Sequence, residues 1–399
     1  MQTVTGGARD PRRVIDRHIA LAAISAIGVG YGFARYGYGL FLPQIRAEFG
    51  LSVSVLGAIG SATYFGYLLA LILVGVLVTR FGPRPMVVLG GLSATLGMAL
   101  VAFASTPALL VIGLVLAGTS SGWIWAPYSD AIGRLLPDGR RERVLAIIPS
   151  GTAFAVVIAG PLALLARSTG WRFAWFVFAA IALAATVYNA VLLPGGSTAD
   201  AARRTPAMRW FARRSALPLY LTALSYGLLG SVYWTYAVEA ISGADDPETG
   251  PLFWTLMGLS GTAGVFTGRV LARMGLPGAH RLLLTALAVA VALLGVAPGS
   301  VVAVVASALL YGCAFMATSG LLAVWSYQVF PEYPATGFSA AVLFLGVGSV
   351  AGPVTMGMIA TQYGLRVTFL LTAALALLTL LAPPTRQTAR TASPGRAWR

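Results

Sequence analysis

The sequence predicts an all-α integral membrane protein, with twelve transmembrane helices arranged as two pseudo-symmetric six-helix bundles. Three observations predict this class: an excess of apolar over charged residues, twelve apolar stretches long enough to cross a bilayer, and landmarks that recur at a nearly constant interval. Of the 399 residues, 58% are hydrophobic and 10% are charged, whereas soluble domains contain roughly 25% charged residues. So much apolar surface has to face lipid.

A helix needs about 20 predominantly apolar residues to cross the hydrocarbon core of a bilayer. The first such stretch follows several arginines, as in a secretory signal. We nevertheless expect it to be retained as a span, because at about 24 residues it is too long and it lacks a small-residue cleavage site. Spans 1 to 12 are predicted at residues 19–42, 53–78, 85–104, 108–131, 144–166, 171–193, 216–240, 252–272, 280–297, 301–329, 336–360 and 366–383.

The distribution of arginine predicts the orientation in the membrane. All 27 basic residues are Arg, and arginine in short loops resists translocation. Twelve spans with a cytoplasmic amino terminus place 22 of them inside, four outside at Arg46, Arg167, Arg172 and Arg366, and Arg35 within span 1. Both termini are therefore expected in the cytoplasm, with the spans in the cell inner membrane. The net charge of +15 does not indicate nucleic-acid binding, because the arginines lie scattered between apolar stretches.

An internal repeat predicts two similar halves. A Gly-Arg-Gly pattern after span 2 returns 193 residues later after span 8, and a Gly-Pro pair in span 5 returns 192 residues later in span 11. The matching landmarks are Gly75, Arg80 and Gly82 with Gly268, Arg273 and Gly275, and Gly160-Pro161 with Gly352-Pro353. We therefore predict an amino-terminal bundle over 1–194, a cytoplasmic linker over 195–215 and a carboxy-terminal bundle over 216–399.

The segment G-V-L-V-T-R-F-G-P-R, from Gly75 to Arg84, is similar to the loop between spans 2 and 3 of the major facilitator superfamily. The chain resembles that superfamily over essentially its full length, although Thr79 stands where the family usually has an acid. The resemblance implies a secondary transporter whose cytoplasmic gate is built by glycines and basic residues. The corresponding gate residues are Gly75, Arg80, Gly82, Arg84, Gly268, Arg273 and Gly275.

Arg35 is the most informative candidate for binding. A charged side chain deep in a span costs at least about 2.5 to 3.5 kcal/mol unless it faces protein or water. Helical geometry at 100° per residue places Tyr31, Arg35 and Tyr38 on one face, and G-F-A-R-Y from Gly32 resembles a first-span pattern of small bacterial facilitators. We predict that Arg35 anchors a carboxylate or another anion. The alternative is a structural arginine that bonds helix carbonyls or reaches outward to the interface.

The resemblance also implies that spans 1, 4, 7 and 10 line a central cavity. Aromatic and hydroxyl side chains recur at helical spacing on the last three of these spans, and we take them as candidate substrate-binding residues. They are Thr119, Trp123, Tyr226, Tyr233, Tyr311, Thr318 and Trp325. Such stripes also serve helix packing, and that alternative stays open.

Two acids lie near the ends of spans: Asp130 in span 4 and Glu239 in span 7. A carboxylate whose solvation changes with conformation can couple transport to protons, so both are candidates for proton coupling. The alternative is that each caps a span end in contact with water, with Asp130 paired to Arg134 one turn away.

We therefore predict a secondary transporter that moves a small organic solute by alternating access. An organic anion is the solute class that we favour, and the sequence does not decide whether transport is coupled to protons. Efflux of drugs or amphiphilic metabolites by the same fold is the nearest alternative. A membrane-embedded enzyme or sensor is a further alternative, which the absence of lysine and the shortness of the loops disfavour. The expected partners are the solute and the lipid bilayer, with a monomeric chain. No cofactor or metal is expected, since Cys313, His18 and His280 are too few and too scattered.

Overall fold

The computed structural model describes residues 11–136, 144, 147–193, 195–196, 211, 213–242 and 248–384, and within these ranges the regular structure is entirely helical. Most of the predicted linker at 195–215 and the loop after span 4 lie outside the described residues. The prediction of an all-α membrane protein is confirmed by the described part of the chain.

The first half of the chain folds into six successive spans. Span 1 is interrupted: it begins as Pro11–Ile27, continues as a π-helix over Gly28–Phe33 and ends with the short helix Gly37–Leu40. The separate helix Leu42–Phe49 follows it and carries the exposed Arg46 and Glu48. Spans 2 to 6 are Val53–Phe81, Pro83–Ala102, Pro107–Leu135, Ser150–Leu165 and Trp171–Leu192.

The second half contains two long helices that each hold parts of two spans. Span 7 is Leu217–Ile241 and span 10 is Val301–Val329. Span 8 comprises Thr249–Gly261, a 3₁₀ turn over Thr262–Phe266 and the start of Thr267–Val296, which continues into span 9, and spans 11 and 12 share Pro334–Leu378. Gly275 (φ 65°) and Gly364 (φ 82°) break these two helices, because the left-handed region is open to glycine.

Eight helices among the described residues are long and apolar enough to cross a membrane. Two of them, Thr249–Val296 and Gly337–Leu381, contain a pair of spans each, and the shorter apolar helices Arg17–Phe33 and Ser150–Leu165 supply the remaining two. The described helices thus account for the twelve predicted spans.

Hydroxyl side chains fix where several spans begin. The Ser52, Thr106 and Ser300 side chains accept hydrogen bonds from the backbone N–H groups three residues further on, at Val55, Leu109 and Ala303. These caps satisfy donors that a helix leaves unpaired at its first turn. The start of each of these three spans is therefore set by residues close to it in the sequence.

The two halves touch at one end of the bundle, which we call the Arg46 face. Gly39 of span 1 lies against the backbone of Trp234 in span 7, and Gly57 of span 2 lies against Pro353 in span 11. Gly160 of span 5 lies equally close to the span 8 helix. Glycine permits such approaches between transmembrane helices because it has no side chain to separate the backbones.

Ion pairs reinforce the same face. Arg46 pairs with Glu239 and Arg167 pairs with Glu248, each joining the first half to the second. Within the first half, Arg172 lies 2.6 Å from Glu48, and its hydrogen bond lowers the pKa of that carboxyl. Glu48 therefore stays ionised and paired near neutral pH.

We expect Gly39→Ala to destabilise the protein by about 1–3 kcal/mol, the usual cost of overpacking, because its Cβ would collide with the Trp234 backbone. Gly75→Ala is the matched control: a Cβ at Gly75 meets nothing within 4 Å, and alanine favours the helix by up to about 1 kcal/mol. Thermal unfolding in detergent measures both variants. Equal stability of the two would contradict the close contact between spans 1 and 7.

Candidate functional site

A cavity lies between the two halves of the protein. It holds about 940 Å³ of space free of protein atoms, counting the part open at its mouth. Spans 1, 2, 4 and 5 line it from the first half, and spans 7, 10 and 11 from the second. Its walls are mainly aromatic and apolar, with scattered hydroxyl groups, as is usual for sites that bind small molecules.

The π-helix in span 1 positions the residues that project into this cavity. The N–H of Ala34 donates to the carbonyl of Val29 at 2.9 Å and that of Tyr36 to the carbonyl of Tyr31 at 3.2 Å, five residues back in each case. Gly28 and Gly32 pack directly against span 5. A π-turn contains an extra residue and is common at functional sites. The extra residue therefore rotates the side chains that follow it away from the positions they would take on a regular α-helix.

Arg35 lies just after the carboxy-terminal end of this π-helix and is only 5% exposed. Four tyrosine rings surround its guanidinium, with centroids at 4.0 Å for Tyr67, 5.0 Å for Tyr64 and 5.5 Å for both Tyr31 and Tyr36. Each ring face attracts a cation, by about 2 kcal/mol where water is excluded. The rings thus offset part of the cost of burying the charge.

The charge of Arg35 has no acidic partner in the described lining. Arg35 is the one described lining residue that is charged at neutral pH, and its Nε has no hydrogen-bond partner among the described residues. A buried charge without a counter-ion is costly. The cavity therefore presents one guanidinium to whatever enters it.

An aromatic wall separates the cavity from the Arg46 face. Tyr36 stacks on Trp234 across the two halves with ring centroids 4.2 Å apart. Tyr226 stacks on Phe315 at 4.7 Å and donates a hydrogen bond to its backbone carbonyl at 2.8 Å. The Tyr36–Trp234 stack and the Gly39 contact beside it hold the two halves together at this end.

Three of the ten predicted binding residues line the cavity: Tyr31, Arg35 and Tyr226. Tyr38 does not share the Arg35 face, contrary to the prediction, and its hydroxyl donates to the Leu56 carbonyl at 3.1 Å. The prediction assumed a regular helix of 100° per residue. The π-helix and the turn over 34–36 break that phase.

The predicted residues of spans 4, 7 and 10 are otherwise engaged in packing. The Thr119 and Thr318 hydroxyls bond carbonyls of their own helices at 2.7 Å. Trp123 packs in a small apolar cluster with Ala70, Val74 and Met86. Tyr233 stacks on Tyr311 at 3.6 Å, and Trp325 meets His280 edge-on at 5.4 Å. None of these six predicted residues is part of the described cavity lining, because spacing along a helix identifies a face without telling which neighbour it meets.

Sequence reasoning missed seven aromatic residues of the described cavity lining. They are Tyr36, Tyr64, Tyr67, Trp125, Trp234, Phe315 and Phe338. Tyr64 and Tyr67 stand three residues apart, which places them on one face of span 2. That spacing was a usable signal, but the prediction had assigned no part of the cavity to span 2.

Of the two candidate acids, only Glu239 has a described side chain, and it lies apart from the described cavity lining. The Asp130 side chain lies outside the described residues. Glu239 pairs with Arg46 at the Arg46 face, where its side chain is 8% exposed, and its Oε2 has no hydrogen-bond partner among the described residues.

The predicted gate residues lie at the opposite end, which we call the Arg80 face. A Cβ added at Gly75 or Gly268 would meet nothing within 4 Å. Gly82 and Gly275 adopt positive φ and end their helices, and the side chains of Arg80, Arg84 and Arg273 belong to exposed residues. Gly75 and Gly268 therefore make no close helix contact in this conformation.

We expect the Tyr67 ring to stabilise Arg35 through its face. A double-mutant cycle of Tyr67→Leu with Arg35→Met should give a coupling energy of about 1–2 kcal/mol in unfolding measured in detergent. Tyr67→Phe keeps the ring and loses only the hydroxyl that contacts Arg35, so its coupling to Arg35 should be smaller than that of Tyr67→Leu. Equal losses for Tyr67→Leu with and without Arg35 would mean that the ring only fills space.

The sequence of this chain is similar to those of known membrane transporters. The family described as "Uncharacterised MFS-type transporter YbfB" matches residues 27–382. Monocarboxylate transporter 11 of Homo sapiens is 32% identical over 242 residues, 58% of this chain and 50% of that protein, so the chain spans about half the length of this relative. Monocarboxylate transporter 13 of Rattus norvegicus is 29% identical over 351 residues, which are 83% of this chain and 77% of that protein.

The fold has a close counterpart among solved structures. The nucleoside transporter NupG (D323A mutant) superposes with a TM-score of 0.75 at 14% sequence identity, covering 92% of this chain and 98% of its own. The resemblance inferred from the Gly75–Arg84 segment is thus confirmed at the level of the family. With twelve spans, a cavity between two halves and a family match over most of its length, the chain belongs to the major facilitator superfamily of transporters, in the YbfB-type family.

Proposed function

We propose that this protein moves a small organic anion across the cell inner membrane. The observation that supports this most is Arg35, a buried guanidinium in the wall of a cavity whose described lining contains no acid. An anion is the solute that would complete this site. The relatives named as monocarboxylate transporters agree with such a cargo.

The chemistry of the site favours a carboxylate or a similar group. A guanidinium offers paired N–H donors that match the two oxygens of a carboxylate, and such charge-assisted bonds are about twice as strong as neutral ones. The remaining walls, including Trp234, Phe315 and Leu345, suit an apolar or aromatic body. The tyrosines hold the guanidinium in place before the solute arrives.

We infer that transport proceeds by alternating access between two bundles, residues 1–194 and 216–399, joined by a linker over 195–215. The halves are closed at the Arg46 face by glycine contacts and two ion pairs. In the alternate state the Arg80 face closes, and Gly75 and Gly268 then permit the close helix approach that is absent here. With both termini cytoplasmic, the state described is the inward-open one, in a monomeric carrier.

Drug or amphiphile efflux is the second candidate. The observation that favours it is the apolar and aromatic character of the cavity walls apart from Arg35. A lipophilic cation would be repelled by Arg35, however, since the described lining offers no acid to receive it. The anion is therefore the better-supported cargo.

The transport test is uptake into proteoliposomes of benzoate, phthalate and the lipophilic cation ethidium, with and without an imposed pH gradient. Arg35→Gln should reduce benzoate uptake at least about 100-fold, since losing a charge-assisted pair costs about 3 kcal/mol. Arg366→Gln, at an exposed arginine, is the matched control and should retain uptake. Equal benzoate uptake by wild type and Arg35→Gln would refute the anchor, and ethidium movement alone would favour efflux.

The pH arm of the same experiment tests proton coupling through the candidate acids. Glu239→Gln and Asp130→Asn should each lower pH-driven accumulation if their carboxyls bind the coupled proton. Unchanged accumulation in both variants would remove these acids from the mechanism.

The orientation predicts a labelling pattern. Single cysteines at residues 80 and 273, in a Cys313→Ser background, should react with a membrane-impermeant maleimide from the cytoplasmic side. A cysteine at residue 46 should react from the opposite side. Labelling of residues 80 and 273 from different sides would overturn the duplicated architecture.

A further inference from the structure

We propose that the protein works as a one-for-one exchanger of monovalent organic anions, because its empty cavity carries a positive charge that no described residue of its lining balances. This inference rests on the proposed function and adds to it a transport mode and a charge for the cargo. It follows from the number of charges in the cavity.

The empty carrier meets an electrostatic obstacle when it changes conformation. To pass between its two open states, it must close the cavity from both sides, and Arg35 then loses access to bulk water. Closing an unpaired charge away from water is unfavourable. The four tyrosines lessen this penalty through their ring faces, but they are neutral and cannot cancel the charge.

No other described group near the cavity replaces the missing anion. The polar lining residues besides the tyrosines include Thr152, Ser231, Ser319 and Ser349, which are all neutral. Glu239 is already paired with Arg46 at the far face. Because arginine does not release its proton in proteins, the empty described cavity keeps a charge of one unit.

A bound monovalent anion removes this obstacle. Its negative charge pairs with the guanidinium, so the closed and loaded cavity is neutral overall. A divalent anion would instead leave one uncompensated negative charge in the closed cavity. The loaded carrier therefore changes conformation more easily than the empty one, and this favours exchange of one monovalent anion for another over net movement.

The experiment compares two fluxes from proteoliposomes preloaded with radiolabelled benzoate. Sulfate is the bulk anion on both sides, so that chloride cannot serve as a counter-anion, and potassium with valinomycin holds the membrane potential at zero. Release is measured into buffer with benzoate, which reports exchange, and into buffer without it, which reports net efflux. We expect exchange to exceed net efflux by at least about tenfold, and external phthalate to replace benzoate at least about tenfold less well.

A charge placed in the cavity provides a sharper comparison. The Tyr67 ring centroid lies 4.0 Å from the guanidinium carbon, and both Tyr67→Glu and Tyr67→Gln remove this ring. The two new side chains have nearly the same size, but only glutamate adds a negative charge. We expect net efflux, relative to exchange, to rise at least about fivefold in Tyr67→Glu over Tyr67→Gln. Ser231→Asp and Ser231→Asn, on the opposite wall, give a second matched pair if the Tyr67 variants do not fold.

The outcomes separate this proposal from the function on which it rests. Equal rates of exchange and net efflux in the wild type would overturn the exchange mode and leave anion transport standing. Exchange against phthalate as fast as against benzoate would overturn the monovalent cargo. No benzoate release under either condition would overturn the proposed function, and exchange with it.

Discussion

A guanidinium held between two helical bundles, with neutral rings around it, is the interaction on which the site depends. Arg35 is buried at 5% exposure, and the face of Tyr67 lies 4.0 Å from it. Burying a charge in this way has an energetic cost that ordinary packing does not repay. Aromatic faces offset part of this cost, and the guanidinium charge keeps no acidic partner in the described cavity lining.

The same residues link the site to the contact between the two halves. Tyr36 follows Arg35 directly and stacks on Trp234 of the other half at 4.2 Å, while Gly39 brings the two backbones together one turn further along. A solute that pairs with Arg35 therefore lies beside the surface that closes the Arg46 face. Binding and closure share one short segment of span 1, and this is a direct physical route by which occupancy can influence conformation.

Local irregularity is what makes this segment suitable. A regular helix over residues 19–42 would pack Tyr31, Arg35 and Tyr38 on one face, whereas the π-helix over Gly28–Phe33 and the turn after it keep Tyr31 beside Arg35 and turn Tyr38 away from both. Gly28 and Gly32 let the distorted segment pack closely against span 5, because they have no side chains. Tyr38 is left to bond the Leu56 carbonyl, and Tyr36 takes the position beside the cavity.

The sequence by itself determined the membrane class, the twelve spans and the presence of a charge inside span 1, because hydropathy and the cost of a charge in lipid act on each segment without regard to its neighbours. The gaps that it predicted between spans 8 and 9 and between spans 11 and 12 contain Gly275 and Gly364, where the structure breaks the helices. Only the tertiary structure decided which aromatic residues meet Arg35. Tyr64 and Tyr67 reach it from span 2 and Trp234 closes the wall from span 7, and such contacts depend on the rotation of each helix about its axis. That rotation is set by packing between distant segments and by one π-turn, neither of which periodicity along a single helix can report.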